Sequence, residues 1–340
     1  MRYFLPLLLL GSPVWAASAQ ISTDGVDCAQ RVEALLPERP NTDVGTVRIH
    51  SFDTGVTWME EGWMINGASR SVVRIPVPVH LVQIGARVVV IDSGYNAQML
   101  DDPQAYVGRA FYQAALSLYP VPTGTGHWAA AGWMKALGFD PSAVDSLIIT
   151  HPHFDHTGGI PDIGARQVLI GEGSREQYGR GHFGLSGVME DPADRAVEIP
   201  LGLVGLVDAQ TGGDVLGDGS IRIVSLPGHA KGSMGVWVQA NEGPRILFVG
   251  DAIYGRPNLG NMLPGFEHLV EVADQPQIKM RRNDQDPKAA AETLLSLWCL
   301  DRWQDTHDEA ILIVPAHDPR LFEDLLPRAP EVFEIGQEAQ

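Results

Sequence analysis

Five short apolar runs in this chain stop on an aspartate or a histidine, and no other feature constrains the fold as much. Val88 to Ile91 closes on Asp92, and "SLIIT" runs into His151. "SIRIVSLPG" leads to His229, "RILFVG" to Asp251 and "ILIVPA" to His317. Runs of this length, bounded by glycine, proline and aspartate, read as buried strands ending in turns. A fold is therefore needed that brings the ends of several buried strands to one place.

Further segments fill in around these strands. "VDCAQRVEALLP" reads as a short helix, and "VRIHSFDTGVTWM" and "SVVRIPVPVHLVQIGARVVVIDSG" read as β structure. Asp102 to Leu137 carries a more helical pattern broken by "YPVPTGTG", and "RQVLIG" and "MGVWVQA" are strand-like. "GSREQYGRG" reads as a short helix and loop. "DPKAAAETLLSLWCLDRW" is the clearest helix, with Asp286 as its cap and Pro287 in its first turn. Strands come first and then alternate with helices in both halves, which predicts layered α/β packing around sheets rather than a parallel barrel.

The stretch "THPHFDHTGG" spends three of the chain's 11 histidines within six positions, His151, His153 and His156. In an extended strand end, His151, His153 and Asp155 project to one side and His156 is offset to face a second position. His151 and His153 can then serve one cation, and Asp155 and His156 another. Imidazole and carboxylate suit zinc, manganese or iron, and Gly158-Gly159 lets the backbone turn tightly beneath. Two cations need more donors than these four, and His229, Asp251 and His317 supply them. A carboxylate such as Asp251 can bridge two metals. His50, His80, His127, His182, His268 and His307 have no partner at ligand spacing and read as structural.

His-x-His-x-Asp-His, then Pro-Gly-His, Gly-Asp and a strand-terminal His, in that order, resemble the metallo-β-lactamase superfamily from roughly Val72 to Asp318. The resemblance implies a four-layer αβ/βα sandwich with a dinuclear site at one edge of two facing sheets. It implies His151, His153 and His229 on one metal, Asp155, His156 and His317 on the other, and Asp251 between them. Two divalent ions follow, zinc first, with manganese, iron or cobalt as alternatives, and a hydroxide held between them as the nucleophile. Asp92 falls in the family's first motif, where the aspartate supports the site from behind.

Within the superfamily, many β-lactam-hydrolysing members lack the bridging aspartate, and oxygen-reducing members carry Glu where His153 stands. Glyoxalase II continues Gly-Asp with Thr-Leu-Phe, where this chain has "GDAIYG". Tyr254, three residues after Asp251, is similar to the tyrosine of N-acyl-homoserine lactone lactonases, which contacts the substrate's carbonyl or leaving oxygen. The expected function is hydrolysis of a lactone or related ester, with Asp155 and Tyr254 as catalytic residues. A loop aromatic packed on a sheet is the other reading of Tyr254. β-Lactam hydrolysis, and phosphotriester or aryl ester hydrolysis, are the alternatives. Departures from the lactonases are a longer chain, an exported look and an insert-like segment, Gly255–Asp284. Trp58, Met59, Trp63 and Met64 form either an apolar lid or a core patch.

A formal net charge of -18 argues against nucleic acid or an anionic membrane as partner. The partner expected is a small ester or lactone, and a homodimer is compatible with the sequence. "MRYFLPLLLLGSPVWAASAQ" reads as a signal peptide over 1–19, ending in the small-x-small Ala17-Ser18-Ala19. Residues 20–340 then form one hydrolase domain, periplasmic or secreted and free of the membrane after processing. Cys28 and Cys299 either form one disulfide or are two unrelated buried thiols.

Overall fold

The computed structural model describes residues 21–65, 68, 70–102, 125–178, 195–260 and 284–336. Its strands are β1 (Val47–Glu60), β2 (Val72–Ile84), β3 (Arg87–Ile91), β4 (Ser146–Ile148), β5 (Gln167–Gly171) and β6 (Ala196–Ile199). They continue as β7 (Gly205–Leu206), β8 (Ile221–Ser225), β9 (Met234–Val238), β10 (Arg245–Gly250), β11 (Ile311–Pro315) and β12 (Phe333–Ile335). One sheet runs β12-β1-β2-β3-β4-β5-β6 and the other β11-β10-β9-β8-β7. β3 to β6 pair in parallel, as do β10 and β11; the remaining pairs are antiparallel.

Alternation along each strand sorts side chains onto two buried faces. Val89 and Ile91 of β3 face the space between the sheets, where they meet Ile223, Val236, Ile246 and Phe248 from the other sheet. Val90, one position off, faces outward with Leu147 and Val168 onto Ala130 and Met134 of the helix Ala130–Ala136. On the opposite outer face Val224, Trp237 and Leu247 lie under the helices Cys28–Leu35 and Pro287–Gln304. Helix, sheet, sheet, helix is the four-layer αβ/βα order that the resemblance implies.

Asp286 caps the late helix by accepting from the N–H groups of Lys288 and Ala289. A disulfide joins Cys28 to Cys299 and so ties the two outer helices together, resolving the open question about these cysteines. Beside it Arg31 pairs with Glu292 at 2.7 Å. β1 and β2 form a long hairpin with a bulge between Asp53 and Val56. β2 pairs with β3 only over His80–Ile84, so Pro76 and Pro78 lie where β2 runs past its neighbour. A missing N–H costs no ladder bond on that side.

β6, β7 and β12 were not legible as strands. Residues 103–124, the leader, His182, His268 and most of Gly255–Asp284 lie outside the described residues. Among the described residues no helix is long and apolar enough to cross a membrane.

Candidate metal centre

The strand-end residues converge. His151, His153, His229 and Asp251 place one donor atom each within 4.8 Å of one another, and so do Asp155, His156 and His317. In the first group His153 Nδ1 lies 2.9 Å from His151 Nε2 and 3.1 Å from His229 Nε2. In the second, His317 Nε2 is 3.3 Å from Asp155 Oδ2. Asp251 joins the groups, one oxygen to each. Its Oδ2 is 3.3 Å from His229 and 3.6 Å from His151, while Oδ1 is 3.2 Å from His317 and 3.4 Å from His156.

One sequence expectation fails in its geometry, although the grouping stands. Asp155 and His156 do not continue an extended strand. His153 is the N-cap of a helical turn, Phe154–Thr157, so the period-two spacing ends there. The turn swings Asp155 to the side of His156 and His317 instead of leaving it in line with His151 and His153. Glycine beneath the turn is required by close approach: a Cβ on Gly159 would sit 2.2 Å from the Ser93 carbonyl oxygen.

Each of four rings has its other nitrogen held from behind. His156 Nδ1 is 2.8 Å from Asp92 Oδ2, and His317 Nδ1 is 2.8 Å from the Pro76 carbonyl. His151 Nδ1 is 3.2 Å from Thr150 Oγ1, and His229 Nδ1 is 3.4 Å from Asp284 Oδ1. Such contacts fix ring orientation and tautomer and leave Nε2 pointing inward with its lone pair. Asp92 also accepts from the Thr150 N–H and hydroxyl. The sequence pointed to Asp92 but not to Asp284, Thr150 or Pro76. A carbonyl oxygen has no residue signature, and Asp284 stands 55 residues from its ring.

The electrostatics fit a cation in each group. Burial, with the neighbouring imidazoles, keeps His151 well below its ordinary pKa and His153 down to about 3, the neutral form that ligates metals. Burial alone would raise the Asp155 carboxyl, but the His156 and His317 rings hold it at about 2. Burial also opposes charge on His156, yet Asp92, Asp251 and Asp155 outweigh it and raise that ring well above its ordinary value. The second group thus draws positive charge to itself. Buried carboxylates of this number need paired cations or metals. His156 Nε2 is buried at the centre, 3.4 Å from Asp251 Oδ1. The donor set suits a divalent-metal site.

Tyr254 is buried, with its ring centroid 5.8 Å from that of His229 and 5.6 Å from that of His317, one ring from each group. Met64, Ile65 and Ile75 pack on it, with Met59 alongside. The Met-containing segment is therefore a core patch, and one that backs the site. Trp58 is partly exposed, and the Trp63 side chain lies outside the described residues. The other described histidines serve packing: His50 against Phe139, His80 against Phe248, His127 against Trp128 and His307 against Trp303.

Comparison with known proteins agrees with this geometry. The model of the metallo-beta-lactamase superfamily matches residues 72–293. The chain belongs to that superfamily. Among curated relatives, the N-acyl homoserine lactonase AttM of Agrobacterium fabrum is 27% identical over 261 residues, 76% of this chain and 88% of that protein. An N-acyl homoserine lactone hydrolase, solved with the product N-hexanoyl-L-homoserine at its catalytic metal centre, superposes with a TM-score of 0.62. It is 16% identical, over 86% of this chain and 100% of the other. AidC, a dizinc quorum-quenching lactonase, superposes with a TM-score of 0.53 at 13% identity, over 88% and 97%. At these identities the solved structures share the metallo-beta-lactamase fold with this chain.

Proposed function

We propose that this member of the metallo-beta-lactamase superfamily is a dinuclear metal-dependent lactonase, acting on N-acyl homoserine lactones or closely related esters. The observation that carries the reading is the pairing of two donor groups through one carboxylate, Asp251, with Tyr254 against a histidine of each. The similarity to the Agrobacterium lactonase over most of both chains supports the substrate class. His151, His153 and His229 would hold one ion and Asp155, His156 and His317 the other, with Asp251 available to both; zinc is the ion these donors suit first. Bound there, divalent cations supply Lewis-acid polarisation of a carbonyl and a water nucleophilic at neutral pH.

The chain's own residues do the rest. Asp155 is partly exposed, unlike its buried partners His156 and His317, so its carboxylate meets what enters the site. It takes the proton of the attacking water and returns it to the leaving alkoxide. Tyr254 donates its phenolic proton toward the oxygen that gains charge as the ring carbonyl becomes tetrahedral. Met64, Ile65 and Ile75 behind it hold the ring in place.

The leader and the Cys28–Cys299 disulfide support export to an oxidising compartment, periplasmic or outside the cell. A panel of N-acyl homoserine lactones, aryl esters, a phosphotriester and a penicillin, offered to the zinc-loaded protein, tests the substrate. The lactones should show the highest kcat/KM; faster turnover of penicillin or phosphotriester overturns the assignment. Tyr254→Phe should lower lactone kcat by about 10- to 1,000-fold with both metal equivalents kept. Loss of metal in that variant would make Tyr254 a structural residue instead.

A further inference from the structure

The insert-like segment Gly255–Asp284 ends on a residue with a place in the site. Asp284 Oδ1 lies 3.4 Å from His229 Nδ1, and both side chains are 1% exposed. The other end of that imidazole, Nε2, faces His153 Nδ1 at 3.1 Å and Asp251 Oδ2 at 3.3 Å. The ring is thus set between a carboxylate and the first donor group. For Nε2 to keep its lone pair for the group, Nδ1 must carry the proton and donate it to Asp284.

The residues after Asp284 hold the same loop by its backbone. The N–H of Gln285 donates to the His229 carbonyl at 3.2 Å, and that of Asp286 to the Gly228 carbonyl at 2.9 Å. Thr293, nearly two turns into the late helix, donates its hydroxyl to the Pro227 carbonyl at 2.7 Å. Gly228 has a φ of +130°, and a Cβ there would sit 2.2 Å from the Ala290 nitrogen. Only a glycine allows the loop to rest on the helix start this closely.

We propose that Asp284 is a positioning residue for the first metal, aligning His229 as Asp92 aligns His156 in the second group. The proposal rests on the reading of His229 as a metal ligand. Each donor group then contains one histidine backed by a carboxylate, which raises ligand basicity and fixes the ring. Removing such a partner weakens metal affinity by roughly 10- to 100-fold. Because the Asp284 carboxylate faces His229 of the first group, the loss should fall on one of two zinc equivalents.

The test is chelator competition on the zinc-loaded full-length protein, with release followed by a zinc-sensitive dye. Asp284→Ala should release one equivalent at a 10- to 100-fold lower chelator concentration, and the second as wild type does. Asp284→Asn retains an oxygen that can accept from Nδ1 and should recover part of the lost affinity. Asp286→Ala is the control for loop docking. It removes the helix cap but leaves the carboxylate on the ring, so it should lower thermal stability and leave both release steps in place. Wild-type release by Asp284→Ala overturns the proposal, as does an equal first-step loss in Asp286→Ala. A wild-type protein that holds two zinc equivalents and opens no lactone overturns the functional reading alone, and the release curves still decide the role of Asp284.

Discussion

Asp92 has a φ of 59°, the left-handed region, and among the described residues it is the only non-glycine there. Holding it there costs on the order of 1–3 kcal/mol. The conformation lets one carboxylate take the Thr150 N–H and hydroxyl and the His156 ring together. Asp92→Asn keeps the backbone but must turn an amide NH2 toward a donor. Zinc release from the second group should then occur at about 10- to 100-fold lower chelator, with the first step unmoved. His80 bears instead on acid stability. Burial between the sheets, against Phe248 and the Ser51 hydroxyl, lowers its pKa to about 3. The folded state therefore favours the neutral ring. Its contribution to stability is complete above the ordinary value near 6.5 and is lost as the pH falls from there toward 3. Urea midpoints across that window should fall less steeply in His80→Phe than in wild type; identical slopes would exclude His80 as a source of acid sensitivity.

Elements explain which parts of the site could be read beforehand. His151, His153, His229, Asp251 and His317 follow apolar strands, and a strand end fixes the position of the next residue within an ångström or two. Their convergence was legible because four such ends, with a fifth at Asp92, have few ways to be satisfied in one chain. The turn Phe154–Thr157 was not legible, since four residues carry too little pattern to separate helix from extended chain. β12 and β6 escaped for the same reason, being short edge strands whose pairing comes from their neighbours. The Pro76 carbonyl reaches His317 because β2 overruns β3, a matter of strand lengths in three dimensions. The docking of the Pro227–His229 loop on the late helix is likewise tertiary. Gly228→Ala should cost about 2–4 kcal/mol, combining a φ rarely adopted by side-chain-bearing residues with a backbone clash. Chemical denaturation checks this; a loss under 0.5 kcal/mol would mean the loop can move off the helix freely.

Across the whole molecule, one covalent tether holds an outer layer together. The disulfide links an element at the start of the described chain to the last long helix, 271 residues on. Cys28→Ser with Cys299→Ser should lower stability by about 2–5 kcal/mol, read as an earlier melting transition, while both zinc equivalents remain bound. A matching melting curve would show that helix packing alone keeps that layer in place. The family's layer order was legible from motif order, whereas the disulfide was not, because two cysteines fix no distance.

The donor atoms are spread unevenly along the chain, and this bears on how the protein is made. Four of the seven, His151 to His156, emerge together, but His317 follows His156 by 161 residues. At ribosomal rates of about 5–20 residues per second, a nascent chain carries this partial chelator for roughly 8 to 30 seconds before its cage can close. Over that interval the segment presents imidazoles to whatever soft or borderline cation is abundant nearby. Which metal the finished protein holds is therefore a question of timing and local supply as well as of donor chemistry.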